Sequence, residues 1–469
     1  MTGQNKKSAR AVAAAVLKGL DPCKEHASAA LNRFLTQTGE KQRATDLVFG
    51  TIRNRSAIDL VISELASRPA KRIPDNILNV IRIGVYELIY CPETALHAVV
   101  NEAVESVKTF AGKKQAGFVN AVLRQIIRQI KNRTVALAAA DVTSTLPLSA
   151  DSGCEFETGI LPDPANQQAE YLSSAFSLPI WLIQQWLADH GFDKAMEICH
   201  AGNRKPAIHI RANTLVITAE ALKQKLDAAH IDSEIIEGDF IRLKSPASVT
   251  QLPGFNEGLF SVQDITASIP ARLLDPQPDT KILDLCAAPG GKTTQLAELT
   301  KDNASIFATD IDTIRLKQLN ENIERLNLRS VTVIDYKNLQ KTADQIGAFD
   351  SILLDVPCSN TGVLARRPEV RYRINQKALE AITKTQAAIL EQASKLVKTG
   401  GKICYSTCSI QNDENGLLVR RFLEKYSFEL KAEIATLPSA RKDCDGGYAA
   451  ILIKTENCNG AVKNTDFIA

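Results

Sequence analysis

Rings are scarce in this chain. Aromatic residues make up 5% of its 469 residues, with two Trp and eight Tyr, too few for a surface that binds chiefly by ring stacking. Long apolar runs are missing as well. None approaches the ~18 residues needed to cross a bilayer, and the Ala-rich start from Ala11 to Leu17 is broken by Lys18 with no cleavage-like site behind it. The chain is therefore read as soluble and cytoplasmic, with no membrane partner. Its ten cysteines, from Cys23 to Cys458, keep no framework spacing, which excludes a disulfide scaffold and leaves free thiols in a reducing compartment. Apolar residues at 45% and charged residues at 23% are globular averages, and the length is sufficient for about three domains.

Several ligand signatures are also absent. No Gly-x-Gly-x-x-Gly occurs, so a dinucleotide fingerprint fails. Gly291-Lys292-Thr293 has the ending of a phosphate loop, but position 286 is Cys where that motif requires Gly. A zinc deaminase needs His-x-Glu and Pro-Cys-x-x-Cys; Pro357-Cys358 is followed by Thr361 where the second Cys belongs, and none of the six histidines precedes Glu at that spacing. A radical cluster wants three close cysteines, and Cys404 and Cys408 have no third nearby. No metal is expected.

Charge is present, unevenly. Residues 1–140 hold 21 Lys and Arg against 11 Asp and Glu, residues 141–170 hold six acids and no Lys or Arg, and the remainder is nearly balanced, for a net +3. Clustered cations gain from counterion release on a phosphate backbone, so the front is a candidate polyanion-binding region. A solvated basic helical face would carry the same charge.

Periodicity divides the chain into a front, a linker and two further regions. From Lys7 to about Lys131 apolar residues recur at three-to-four spacing, as in Ile77, Leu78, Ile81, Val85 and Leu88, which predicts an all-α bundle over 1–140. Asp21-Pro22, Arg68-Pro69, Ile73-Pro74 and Cys91-Pro92 separate its helices. Residues 141–170 collect Pro, Ser, Asp, Thr and Gly without periodicity and read as an acidic linker. Residues 171–255 mix helical stretches (Pro179 to Asp189, Ala219 to Ala229) with alternating ones (Ala207 to Arg211, Phe240 to Leu243), as a small α/β module. From 256 to 456 short apolar runs alternate with amphipathic helices: Lys281 to Leu285, Ser305 to Thr309, Val331 to Ile334, Ser351 to Val356 and Lys402 to Ser406. That pattern predicts a parallel sheet with helices on both faces. Residues 457–469 form a tail.

The richest segment runs from Ile282 through Asp284, Cys286, Ala287, Ala288, Pro289, Gly290 and Gly291 to Lys292 and Thr293: a strand, a tight glycine turn and a helix start. Glycines let backbone approach a ligand, and in a doubly wound sheet the site lies beyond the carboxyl ends of the strands. A nucleoside-type ligand fits. Asp310, ending the next strand, has the position to bind ribose hydroxyls, and Asp335, ending the third, to accept from an adenine amino group. Two further strand ends carry thiols, in Asp355-Val356-Pro357-Cys358-Ser359 and Tyr405-Ser406-Thr407-Cys408-Ser409, so both should face the same crevice. Cys408 precedes an expected helix from about Asp413, whose partial positive charge favours a thiolate. Cys404 reads as packing.

Taken in order, Leu285 to Thr293, Asp355 to Ser359 and Ser406 to Ser409 resemble the RNA cytosine-C5 methyltransferases of the Nop/Sun family. The front, with Arg43 to Arg53, looks like a NusB-type RNA-binding domain, and the combination is similar to bacterial 16S rRNA methyltransferases of that family. The resemblance covers nearly the whole chain, least over 141–170 and after Glu456. It implies a multidomain protein: a NusB-like bundle, the small α/β module, and a Rossmann-like domain that uses S-adenosyl-L-methionine. It implies further that Cys286 to Lys292 wrap that cofactor, that Asp310 and Asp335 hold its ribose and adenine, and that Asp355 faces both cofactor and base. Cys408 would attack carbon 6 of the cytosine, and Cys358 would assist breakdown of the covalent intermediate. The target base must be unstacked to be reached, and Arg366, Arg367, Arg371 and Arg373 are placed to hold phosphates beside it, with Tyr372 to stack. The partner is then 16S ribosomal RNA, bound by a monomer. The alternatives are another RNA such as tRNA, or a silent RNA-binding, antitermination-like protein; the intact Cys358, Cys408 and Asp355 speak against the silent form. The chain departs from the family pattern at Ile334, where glycine is common, and at Asp445-Gly446-Gly447-Tyr448, where Asp-Gly-aromatic-aromatic is usual.

Overall fold

Ile77, Leu78, Ile81, Val85 and Leu88 are all buried along the helix Asp75–Tyr90. Pro74 starts that helix without wasting an N–H, and Cys91-Pro92 stops it. In the computed structural model, which describes residues 6–66, 68–245 and 248–456, such helices build the first of two units. This unit comprises 1–206 together with 364–374 and 438–443; the second comprises 207–363, 375–437 and the chain from 444. The expected tail, 457–469, lies outside the described residues. Among the described residues no helix is long and apolar enough to cross a membrane.

In the first unit the helices Ala9–Gly19, Lys41–Arg53, Arg55–Leu65, Asp75–Tyr90 and Leu96–Gln129 pack around a shared core. Three arginines of the basic front are engaged within this unit. Arg133 donates to five carbonyls (Glu87, Leu88, Cys91, Pro92 and Thr94) at 2.7–3.1 Å, satisfying acceptors that the end of the helix Asp75–Tyr90 leaves open. Arg82 forks onto Asp59 with both contacts at 2.7 Å, and buried Arg10 holds Glu87. The segment expected to be an acidic linker is folded as well: Ser152–Phe156 lies between Ile130–Ala136 and Thr145–Pro147 in an antiparallel sheet. Leu146, Cys154 and Phe156 are buried there. Strands of three and five residues are too short to show a period of two against Ser, Asp and Pro.

His200, on the helix Ile180–Asn203, packs edge-on against Phe176 with ring centroids 4.8 Å apart. Burial pushes its imidazole down to about 4. Between that value and the ordinary ~6.5 the unfolded chain binds the extra proton, so stability is lost as pH falls through the window, by about 3 kcal/mol at most. Urea midpoints measured at pH 7 and pH 4.5 should therefore differ less in His200→Gln than in the unaltered chain. An identical pH dependence in both would disprove the assignment.

The second unit opens with a four-stranded antiparallel sheet in the order Ser233–Glu237, Phe240–Leu243, Ile208–Ala212, Phe260–Val262. Arg211 on its third strand is 2% exposed and forks onto Glu298 at 2.9 and 2.8 Å. It thus ties the small sheet to the helix Gly291–Leu299 that follows the glycine turn. Breaking a buried pair strands one charge. Arg211→Met is expected to lower unfolding stability by about 3–5 kcal/mol, and adding Glu298→Leu to recover part of that loss; a double variant weaker than the single one by urea unfolding would refute this.

The main sheet consists of β1 (Lys281–Asp284), β2 (Ser305–Ala308), β3 (Val331–Val333), β4 (Phe349–Asp355), β5 (Val397–Thr407), β6 (Phe428–Thr436) and β7 (Gly447–Lys454), in the order β3-β2-β1-β4-β5-β7-β6. The first five run parallel, as the apolar runs predict, and β7 is inserted antiparallel between β5 and β6. Alternation puts Ile352, Leu354, Ile403, Tyr405 and Leu452 in one core cluster and Leu353, Cys404, Ala449 and Ile451 in another, so the sheet is buried on both faces. The strand order reverses between β1 and β4, and crevices in such sheets open at that switch point.

Candidate active site

β1 ends at Asp284, and the chain then turns through 285–290 into the helix Gly291–Leu299. Gly290 takes φ +105°, and a Cβ there would meet Leu319 at 2.5 Å, so the turn closes only with glycine. Asp310 fixes the turn from the side: its Oδ2 accepts from Ala288 N at 3.1 Å and its Oδ1 from Asp312 N at 2.9 Å. Asp284 is 1% exposed. Its Oδ2 accepts from Thr293 Oγ1 at 2.7 Å, its Oδ1 has no partner, and burial pushes the carboxyl up to about 7. Cys286 is likewise pushed up by burial.

Beside β1, β4 pairs with β5, with Asp355 opposite Ser406. Equal register at parallel strand ends brings the segments beyond them together, and the Sγ atoms of Cys358 and Cys408 lie 2.9 Å apart. Asn360 fastens this pair: its Nδ2 donates to Cys358 O at 2.8 Å, and its Oδ1 accepts from the Cys408 thiol at 3.4 Å. Hydrogen bonding to Cys408, added to burial, holds the Cys358 thiol well above its ordinary value. The helix expected from about Asp413 begins at Gly416, after a single 3₁₀ turn at Asn412–Glu414. Cys404 is fully buried.

Lys292 and Asp355 join the turn to the thiols. Lys292 Nζ donates to Asp355 Oδ2 at 2.6 Å, and Ser406 Oγ donates to Asp355 Oδ1 at 3.2 Å. Burial pulls the ammonium pKa down, but the facing carboxylate outweighs it and the net direction is up. The family resemblance implied Lys292 only among the cofactor-wrapping residues; its spacing from Asp355 carries no local signal. A cleft opens here, lined by Lys292, Asp355, Thr407, Cys408, Asp445 and Tyr448. Cys408 lines this cleft and Cys358 does not. The Gly446-Gly447 departure is accommodated by close packing, since a Cβ on Gly447 would lie 3.0 Å from Thr407 O.

The remaining expected site residues lie apart from this cleft lining. Asp335 follows β3, exposed, and its Oδ1 caps the 3₁₀ turn Tyr336–Asn338 through Lys337 N at 2.9 Å. The segment 364–374 belongs to the first unit, and the reading of Arg371 as a phosphate ligand is corrected. Arg371 is 2% exposed and donates to Phe176 O, Gly202 O, Asn203 Oδ1 and Arg53 O, and burial pushes its guanidinium down to about 10. Tyr372 donates its hydroxyl to Ile52 O at 2.8 Å, and the Arg55 guanidinium lies over its ring, 5.4 Å from the centroid, so one face of the expected stacking platform is already taken. Arg367 is half-buried with Ser28 Oγ at 3.3 Å, and Arg366 and Arg373 are half-buried.

Family comparison places this architecture. Residues 271–453 match a model described as 16S rRNA methyltransferase RsmB/F, residues 7–128 match the NusB family, and residues 178–250 match the ferredoxin-like domain of RsmF/B-like methyltransferases. A ribosomal RNA small subunit methyltransferase B of Serratia proteamaculans is 34% identical over 88% of this chain and 91% of its own. One from Yersinia pseudotuberculosis is 31% identical over 96% and 100%. Among solved structures, PH0851 covers 96% of this chain and 99% of its own at 25% identity and TM-score 0.73. NSun6 from Pyrococcus horikoshii, solved with SFG, covers 60% and 99% at 22% identity and TM-score 0.54.

Proposed function

Because the chain belongs to the family of ribosomal RNA small subunit methyltransferases B, we propose that it methylates carbon 5 of a cytosine in 16S rRNA, with S-adenosyl-L-methionine as donor. The observation that carries this reading is the pair of thiols 2.9 Å apart, one of them on a cleft shared with the Lys292–Asp355 pair. The turn suits the donor. Asp310 carries lone pairs beyond those used by two backbone N–H groups, Asp284 Oδ1 and Thr309 Oγ1 are buried without partners, and a Cβ on Gly291 would meet nothing within 4 Å. Cys286 to Lys292, Asp310 and Asp335 are the residues that would hold it, with Asp355 beside it. Bound there, the donor supplies a methyl group on a positively charged sulfur.

The chain's own groups do the rest. Carbon 5 of cytosine is a weak nucleophile, so Cys408 Sγ gives up its thiol proton to solvent and forms a bond to carbon 6, driving electron density toward carbon 5. The Lys292–Asp355 pair delivers a proton to N3 and so meets the charge that develops there. Once carbon 5 carries the methyl group, its proton passes to water and N3 returns its own to the Lys292–Asp355 pair; the C5–H electrons restore the ring double bond and the S–C6 electrons leave on the Cys408 sulfur. Cys358 keeps its own proton and donates toward the departing Cys408 sulfur, stabilising it as a thiolate. The base must leave its stack for any of this to happen. The direct test is transfer of labelled methyl groups to naked 16S RNA, assembled small subunits and tRNA, with bisulfite mapping of the product. Label on tRNA alone would reject the substrate assignment, and label that bisulfite does not locate at a cytosine would reject the chemistry.

A further inference from the structure

We propose that Glu414 is a positioning residue that locks the Cys358 loop onto the Cys408 loop and so sets the distance between the two sulfurs; this deepens the two-thiol reading above and rests on it. Glu414 is fully buried and outside the cleft lining. Its Oε1 accepts from Ser359 N at 2.7 Å and from Gln386 Nε2 at 2.9 Å; its Oε2 accepts from Ser359 Oγ at 2.5 Å and from Ser409 Oγ. Ser359 and Ser409 each follow one of the two cysteines. Gln386 holds the same loop again through Pro357 O at 3.0 Å, and Tyr405 donates to Glu414 O at 2.6 Å. One carboxylate thus satisfies four donors drawn from both thiol-bearing loops and from the helix Gln376–Leu396.

The arrangement has a definite polarity. Both serines give their only hydroxyl proton to Glu414, so Thr361 Oγ1 must donate to Ser409 Oγ across their 3.0 Å contact. A glutamine at 414 has to set its NH₂ on one side. The Oε1 side faces two N–H donors that cannot reverse, so the NH₂ goes to the Oε2 side, where it turns both serines from donors into acceptors and replaces charge-assisted bonds to a carboxylate by weaker neutral ones. The direct Ser359 Oγ–Ser409 Oγ contact at 3.0 Å remains, so the shape is kept and the clamp is loosened.

The test is Glu414→Gln in the full chain, with an in vitro 16S transcript and the methyl donor. The melting temperature and donor Kd should stay within a few degrees and twofold. The rate constant kcat should fall tenfold or more with KM for RNA nearly unchanged, and a covalent RNA adduct should accumulate on denaturing gels although both cysteines are present. Ser359→Ala, which removes one arm, should show the same adduct more weakly, and decides the matter if the Glu414 variant does not fold. Turnover without adduct, or a parallel loss of kcat, RNA affinity and donor binding, would overturn the proposal. Cys358→Ala runs alongside: no adduct in that variant defeats the two-thiol reading itself, whereas adduct there and none at Glu414 or Ser359 defeats only the clamp.

Discussion

Cys408→Ala is expected to lower turnover by ~10³-fold or more, while Cys358→Ala should complete methyl transfer once and then hold the RNA as a covalent adduct that survives a denaturing gel. The asymmetry follows from position. Cys408 lines the cleft with Lys292 and Asp355, and Cys358 does not line it, which is why the proposed reaction makes Cys408 the attacking sulfur. Cys358 is also the thiol whose proton is held firmly, by its bond to Cys408 and by burial, which suits a donor better than an attacker. Removing the attacker prevents the S–C6 bond from forming. Removing the donor leaves attack possible but takes away the hydrogen bond that stabilises the leaving sulfur, so breakdown slows relative to formation. Labelled-methyl transfer under single-turnover conditions, followed by gel analysis, separates the two. Adduct in the Cys408 variant and none in the Cys358 variant would reverse the assignment of roles.

How much of this was legible beforehand differs by element. The five parallel strands were readable because each is a short apolar run bounded by breakers, and strands buried on both faces carry that signal undiluted. The glycine turn, Asp310 and both thiols follow from the same reading, since parallel strands deliver their ends to one edge. β6 and β7 escaped it: β6 spaces its apolar residues among charges at Glu429, Lys431 and Glu433, as a half-exposed strand does. Arg371 and Tyr372 misled for another reason. A run of arginines after a strand end reads as a surface, and nothing local reveals that 364–374 packs into the first unit and uses Arg371 to satisfy four acceptors. Glu414 was invisible because its partners, Ser359, Gln386 and Ser409, lie on three separate elements.

Gly362→Ala and Gly291→Ala, at two glycines of the same domain, should behave in opposite ways. A Cβ at Gly362 would lie 2.5 Å from Gly446 O and 2.7 Å from Cys408 O. Both are backbone atoms, held by Gly446 N to Gly362 O at 2.8 Å and Gly362 N to Cys408 O at 3.0 Å, so neither yields without displacing the Cys408 loop. The alanine is expected to cost about 3 kcal/mol of stability and, through the shifted sulfur, at least ~100-fold in turnover. At Gly291 a Cβ meets nothing within 4 Å and φ is ordinary for a helix start. There the alanine should leave the melting temperature equal or slightly raised, since it removes backbone freedom from the unfolded chain. Only a ligand that approaches the open backbone would feel the added methyl, so donor binding should weaken at unchanged stability. Calorimetric donor titration beside thermal unfolding reads both variants. Undiminished donor affinity in Gly291→Ala would place the donor away from this turn, and a Gly362→Ala chain as stable and active as the unaltered one would show that the Cys408 loop is free to move.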